Sequence, residues 1–223
     1  MRTIGVLGGL TWHSTIEYYR SINALMTERT GGAHAARCVL VSVDMGELDE
    51  LMHAGRWDEA GALLHADARR IEEAGADVFI LACNSLHNVW DTIVDGLAMP
   101  AIHIGDATAA ALDGHRRVAL LGTRFTMELP FLRERIEARG IEVAVPDEAD
   151  RERIHRTVFD ELGLGILSDE THAYYVDLVS RLDCEAVVLG CTEIGLLLKP
   201  EDVDVPLVDT AAAHARAAVD YAA

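Results

Sequence analysis

The chain has 223 residues, of which 50% are hydrophobic, and its formal net charge is −18. An acidic surface of this kind repels nucleic acid and anionic membranes, so we expect neither as a partner. No stretch approaches the roughly 18 uninterrupted apolar residues of a membrane span, and the first residues lack the apolar core of a signal peptide, which together favour a cytoplasmic protein. The length allows one large domain or two small ones.

Short apolar segments alternate with amphipathic segments along the chain. This alternation predicts βαβ units, and hence an α/β fold with mostly parallel sheets flanked by helices. The predicted strands are residues 3–7, 38–43, 78–82, 101–104, 118–121, 141–145, 186–189 and 207–208. The predicted helices are residues 13–29, 56–74, 106–114, 127–139, 148–163, 170–182 and 210–222.

Three segments recur in the same order and at similar offsets. Residues 4–9 resemble 118–123, residues 78–85 resemble 186–193, and residues 99–102 resemble 205–208. A repeat of this kind predicts two related, pseudo-symmetric α/β lobes. We expect an N-terminal lobe of residues 1–104 plus 209–223, which carries Cys83, and a C-terminal lobe of residues 105–208, which carries Cys191.

Both of these cysteines follow buried-looking strands at matching places in the repeat. Ligands of an open parallel sheet bind outside the carboxyl ends of its strands, which is where both thiols would lie. A helix starting just after each cysteine would favour the thiolate, and its amides would bind a substrate carboxylate. The side chains of Asn84, Ser85 and Thr192 would add donors to that carboxylate.

Two thiols that face each other suit the inversion of a stereocentre. One thiolate removes the α-proton, and the opposite thiol delivers a proton to the other face of Cα. The competing interpretation of any such cysteine is a small buried hydrophobe. We prefer that interpretation for Cys38 and Cys184, which lie at or before the start of a strand.

Two glycine turns, Gly8-Gly9 and the one at Gly122, follow the first strand of each lobe. Such turns let backbone approach a small ligand, which makes Thr11, Thr123 and Arg124 candidate substrate contacts. The alternative is that these three are structural turn residues.

Two ionisable residues lie close to the cysteines in the sequence. Glu193 would orient the substrate ammonium group, or would hold the neighbouring thiol protonated by raising its pKa. His87 follows Cys83 by four residues and would lie one helical turn from it, as a helix residue first and a tuner of the thiol second.

Cofactor signals are weak throughout. The only lysine is Lys199, far from any glycine-rich phosphate turn, which argues against pyridoxal phosphate. The motif G-x-G-x-x-G does not follow the first strand, which argues against a dinucleotide. The histidines lack the spacing of metal ligands, so we expect no metal.

Taken together, these motifs resemble the aspartate/glutamate racemase family. The resemblance rests on Gly8-Gly9-Leu10 with Thr15 and Tyr18-Tyr19, Ala82-Cys83-Asn84-Ser85 with His87, Leu121-Gly122-Thr123 with Thr126-Met127, and Gly190-Cys191-Thr192-Glu193-Ile194. It implies two Rossmann-like lobes with the active site in the cleft between them, a homodimer, no cofactor, and Cys83 and Cys191 as the acid/base pair. Asn84, Ser85 and Thr192 match positions that hold the substrate carboxylate.

We therefore expect a cofactor-independent isomerase that racemises a dicarboxylic amino acid, aspartate or glutamate. Some aspartate racemases hold the distal carboxylate with a lysine, which residues 165–168 do not supply, so Arg124 or Arg56 would replace it. Two alternatives stay open. One is a related thiol-dependent isomerase or decarboxylase of another small dicarboxylate, and the other is a non-catalytic binding protein for an acidic metabolite.

Overall fold

The computed structural model describes residues 1–223. The chain forms two compact units, the first made of Met1–Ile104 with His214–Ala223 and the second of Gly105–Ala213. The chain returns to the first unit at His214, inside the last helix. The sequence analysis placed this return at residue 209, ahead of that helix. None of the helices is long and apolar enough to span a membrane.

The first unit contains a three-stranded parallel sheet with the strand order β2-β1-β3. Its strands are β1 (Ile4–Gly8), β2 (Cys38–Ser42) and β3 (Val78–Leu81). Its helices are α1 (Trp12–Thr30), α2 (Met45–His53), α3 (Trp57–Glu73) and α4 (Trp90–Val94), with a 3-10 helix at Ser85–Val89. Every residue of β1 and β3 is buried, which accounts for the continuous apolar runs of these strands.

The second unit contains a four-stranded parallel sheet with the strand order β5-β4-β6-β7. Its strands are β4 (Arg117–Leu121), β5 (Glu142–Ala144), β6 (Ala186–Leu189) and β7 (Leu207–Asp209). The remaining helices are α5 (Ile104–Ala111), α6 (Arg124–Glu128), α7 (Pro130–Glu137), α8 (Glu148–Asp160), α9 (Asp169–Arg181), α10 (Thr192–Leu197) and α11 (Thr210–Ala222), with 3-10 helices at Leu162–Leu164 and Pro200–Asp202. The first residue of α5 and the later part of α11 belong to the first unit.

The two sheets repeat the same pairing of strands. Equivalent pairs meet at residues that also match in the sequence repeat: Ile4 with Val78 and Val118 with Ala186, then Phe79 with Ala101 and Val187 with Leu207. The predicted α/β class with two pseudo-symmetric lobes is confirmed, since each unit carries one parallel sheet flanked by helices.

One predicted strand, residues 101–104, is wrong. Only Ala101 pairs with the sheet, as the amide of Phe79 donates to Pro100 and the amide of Ile102 donates back to Phe79. Helix α5 then begins at Ile104. The equivalent segment of the second unit, β7, forms a full strand before its helix starts.

Helix α2 was not predicted. It begins after Asp44, whose carboxylate accepts a hydrogen bond from the amide of Gly46 at 2.9 Å. Its buried face consists of Leu48, Leu51 and Met52. A helix of nine residues has too few turns for its helical periodicity of apolar residues to be recognised in the sequence.

Candidate active site

Cys83 lies just beyond the carboxyl end of β3, in the first unit. The amide of Ala82 donates to the carbonyl of Leu7 at 2.9 Å, so the pairing of β3 with β1 continues to the residue before the cysteine. Cys83 is half-buried, whereas Asn84 and Ser85 are buried. The turn therefore places a half-buried cysteine next to two buried polar side chains.

The glycine turn after β1 lies at the same edge of the first sheet, because β1 and β3 are parallel neighbours. Gly9 has a φ of +90°, and a Cβ there would lie 2.1 Å from the carbonyl oxygen of Val43, so only glycine fits. Its amide donates to Oγ1 of Thr15 at 2.7 Å. Thr11 is the N-cap of α1, and its hydroxyl accepts from the amide of Ser14 at 3.3 Å.

Cys191 occupies the equivalent turn of the second unit, beyond β6 and Gly190. It is the N-cap of α10, and its backbone is extended. Thr192 and Glu193, in the first turn of that helix, are both buried. The Cys191 thiol is itself only 8% exposed, and it donates a hydrogen bond to Oε2 of Glu193 at 3.0 Å.

This environment holds Cys191 in its protonated form. Burial raises the pKa of the thiol well above its usual range, and the negative charge of Glu193 and the hydrogen bond to it raise the pKa further. The backbone amides of Glu193 and Ile194 act in the opposite direction and do not overcome these effects. Cys191 is therefore equipped to donate a proton at neutral pH.

The glycine turn after β4 supplies Thr123 and Arg124 at the same edge of the second sheet as Cys191. Thr123 is the N-cap of α6, where its buried hydroxyl accepts from the amide of Thr126 at 3.3 Å. Arg124 is exposed, and its guanidinium donates to Glu128 at 3.3 Å and to Glu152 at 3.2 Å.

The other arginine considered for the distal carboxylate is Arg56. Its guanidinium is exposed and forms a bidentate pair with Glu59, with nitrogen–oxygen distances of 2.6 and 2.5 Å. Both candidate arginines therefore already contact carboxylates of their own unit. The contacts of Arg56 are shorter than those of Arg124.

Tyr175 is a buried polar side chain of α9 that sequence analysis did not single out. Its phenol is fully buried and shares a hydrogen bond with the hydroxyl of Thr157 at 3.0 Å. Burial raises the pKa of Tyr175, the hydrogen bond with Thr157 lowers it, and the charge of an ionised Cys191 raises it further. In the sequence, this tyrosine is indistinguishable from a core residue of the predicted helix 170–182.

The first unit also buries three histidines beneath the Cys83 turn: His87, His103 and His214. The ring centroid of His87 lies 4.6 Å from that of His103 and 5.7 Å from that of His214. Only His87 was noticed in the sequence, because the other two are distant from the cysteine motif along the chain. No group of three or more His, Cys, Asp or Glu side chains has a geometry that would hold a metal ion.

Comparison with known proteins places the chain in a family. The profile of the Asp/Glu/hydantoin racemases matches residues 7–218. The chain belongs to this family. Membership confirms the resemblance found in the motifs and supports amino-acid racemisation as the activity of the chain.

Individual racemase relatives match over most of their length. A crystal structure of a candidate Asp/Glu racemase from Yersinia pestis is 42% identical, with a TM-score of 0.91 and coverage of 100% of this chain and 99% of that chain. An aspartate racemase homologue from Pyrococcus horikoshii OT3 is 32% identical, with a TM-score of 0.86 and the same coverage. The broad specificity amino-acid racemase RacX of Bacillus subtilis (strain 168) is 22% identical over 169 residues, or 73% of this chain and 72% of that protein.

Proposed function

We propose that this racemase inverts an acidic amino acid, aspartate or glutamate, by proton transfer between two thiols without a cofactor. The observation that carries the proposal is the repetition of one turn. Cys83 and Cys191 follow equivalent strands of two sheets with the same register, and each is followed by buried polar residues. Packing alone would not require a cysteine at both places.

In one direction, the thiolate of Cys83 takes the α-proton and becomes a thiol. Cys191 gives its own proton to the opposite face of Cα and becomes a thiolate, so that one proton enters the substrate for each one that leaves. The electron pair released at Cα spreads onto the substrate carboxylate. Donors from Asn84, Ser85 and Thr192 would stabilise that negative charge.

The contact between Glu193 and Cys191 supports a starting state for this cycle. Of the two roles considered for Glu193, the hydrogen bond at 3.0 Å favours control of the thiol over capture of the substrate ammonium group. Glu193 holds Cys191 protonated, so the resting enzyme has Cys191 as the acid and Cys83 as the base. The resting enzyme is then ready to deprotonate the enantiomer whose α-proton faces Cys83.

The preference for an acidic side chain requires a cation at the distal carboxylate. Arg124 is the better placed of the two candidates, because it follows Thr123 at the carboxyl end of β4 and its contacts of 3.2 to 3.4 Å are longer than those of Arg56. The capping hydrogen bonds use the hydroxyls of Thr11 and Thr123 as acceptors, so each would contact the substrate through its O–H donor without losing its cap.

Independence from pyridoxal phosphate rests on the single lysine. The ammonium group of Lys199 donates to the carbonyl of Gly195 at 2.8 Å, at the end of α10. A lysine that forms a Schiff base with pyridoxal must be presented to a phosphate-binding turn. Lys199 is instead exposed and engaged with its own segment.

The test is loss of the Cα–H signal by proton NMR in D2O, with each enantiomer of aspartate and glutamate and no added cofactor. We expect exchange and racemisation by the wild type and by the matched controls Cys38→Ser and Cys184→Ser. Cys83→Ser and Cys191→Ser should abolish inversion, and each should retain at most the exchange of one enantiomer, which the remaining thiol can deprotonate.

Other outcomes would replace the proposal. Inversion that survives in both Cys83→Ser and Cys191→Ser would refute the two-thiol mechanism. Absence of exchange with all four amino acids would favour a thiol-dependent isomerase or decarboxylase of another dicarboxylate. Binding of dicarboxylates without any turnover would favour a binding protein.

A further inference from the structure

The buried ring of His87 forms hydrogen bonds with the Cys83 turn and with Ile104, the first residue of α5. Its Nδ1 lies 2.6 Å from the carbonyl oxygen of Cys83, and its Nε2 lies 3.2 Å from the amide nitrogen of Ile104. A carbonyl can only accept a hydrogen bond and an amide can only donate one. The ring must therefore carry its proton on Nδ1 and present a bare Nε2.

The surroundings of His87 fix the ring in this neutral form. It is 1% exposed and stacks on Trp90, with ring centroids 4.9 Å apart and an interplanar angle of 9°. Burial lowers the pKa of His87 well below its usual range, and the nearby His103 and His214 lower it further. His214 accepts a hydrogen bond from the hydroxyl of Tyr18 at 3.0 Å, so its ring is also held in place.

We propose that His87 is a positioning residue for Cys83, which rests on the proposed acid/base function of that cysteine. The amide of Cys83 donates to the carbonyl of Leu81 at 2.9 Å, and its carbonyl accepts from His87. Both peptide groups that flank the Cα of Cys83 are thus held by hydrogen bonds, and these groups set the direction of the Cα–Cβ bond. A small error in the direction of the thiol would slow proton transfer without weakening substrate binding.

Three substitutions of His87 separate its two hydrogen bonds. His87→Asn keeps a donor near the place of Nδ1, so the bond to Cys83 can persist. His87→Gln keeps an acceptor near the place of Nε2, so only the bond to Ile104 can persist. His87→Phe loses both bonds and keeps a ring on Trp90.

The matched control is His65→Gln, which loses the donor at the place of Nδ1 as His87→Gln does. His65 lies on α3 in the same unit, and its Nδ1 likewise contacts a carbonyl, that of Ile93, at 3.1 Å. That carbonyl belongs to α4 and to neither of the peptide groups that flank the Cα of Cys83. The control therefore measures the cost of losing a histidine–carbonyl bond that does not hold the cysteine.

We expect kcat to fall about threefold in His87→Asn and by more than about tenfold in His87→Gln and His87→Phe, with KM changed by less than about twofold in all three. His65→Gln should resemble the wild type. The rate of Cys83 alkylation by iodoacetamide, followed by peptide mapping, should change in the Gln and Phe variants and not in the Asn variant. Long-range proton–nitrogen NMR of the wild type should show the Nδ1–H tautomer for His87.

A different pattern would overturn the role. Equal losses in the Asn, Gln and Phe variants, with Cys83 alkylation as in the wild type, would mean that the ring only fills space. A proton found on Nε2 of His87 would remove the bond on which the role depends. Failure of the proposed function would be seen separately, as a wild type that exchanges no Cα–H, while the alkylation and tautomer measurements would still report on His87.

Discussion

Replacement of Glu193 by glutamine should make the Cys191 thiol easier to ionise. In the wild type, the thiol sulfur and the carboxylate oxygen are 3.0 Å apart, and the charge of the carboxylate is shared between two oxygens. Two unit charges about 4 Å apart repel by about 4 kcal/mol at an effective dielectric constant near 20. Even half of that energy, about 2 kcal/mol, would raise the thiolate fraction of Cys191 at a given pH about 30-fold.

Alkylation by iodoacetamide across neutral and alkaline pH measures this effect, because only the thiolate reacts. Peptide mapping would follow Cys191, with Cys38 and Cys184 in the same sample as internal references, since burial raises the pKa of each without any contact to Glu193. The control variant is Glu185→Gln, which removes an exposed carboxylate that pairs with Arg116. An unchanged rate for Cys191 in Glu193→Gln would refute the argument that Glu193 keeps this thiol protonated.

Three further predictions concern stability and assembly. The folded-state pKa of His214 is lowered to about 4, from 6.5, chiefly by burial, so its contribution is complete above about pH 6.5 and declines as the pH falls toward 4. Urea unfolding should show a loss of at least about 3 kcal/mol over that interval, since the lowered pKa of His87 acts in the same direction, and a midpoint insensitive to pH there would contradict the linkage. Gly9→Ala should lower the free energy of unfolding by at least about 2 kcal/mol more than Gly75→Ala, because both glycines have positive φ but only at Gly9 would the new Cβ meet backbone. Equal costs in urea titrations would argue against the clash. We also propose that the homodimer implied by the family resemblance forms through Trp12, Ile16 and Tyr19, which are 59%, 51% and 54% exposed on α1. Sedimentation should show a dimer that Ile16→Glu converts to a monomer, and a monomeric wild type would end the idea.

The strands that hold the two cysteines were predictable because burial on both faces leaves a continuous apolar run. The run at residues 186–189 coincides with β6, and the run at residues 78–82 exceeds β3 by one residue. The segment at residues 101–104 has a similar length and is apolar except for His103. It fails as a strand because the chain turns into α5 at Ile104 after a single paired residue.

The two thiol turns of the candidate site were predictable from the repeat, since each half supplies an independent copy of the pattern. Contacts between residues distant in the chain were not. His87 contacts His214 from the last helix, and Tyr175 of α9 shares a hydrogen bond with Thr157 of α8. No local pattern in the sequence predicts either contact. The contact of Glu193 with Cys191 could be predicted because only one residue separates them in the sequence.

The membership of α11 in both units has a consequence for synthesis. Domains generally fold in the order in which the ribosome makes them, with the N-terminal domain first. Here the hydrogen bonds between Tyr18 and His214 and between the amide of Arg2 and the carbonyl of Ala222 wait until the whole of Gly105–Ala213 has been translated. The second unit is therefore the first to have all of its chain available. A nascent polypeptide therefore passes through a stage in which the chain of the second unit is complete and His87 and His103 still lack His214. A variant that slowed translation near the end would prolong that stage.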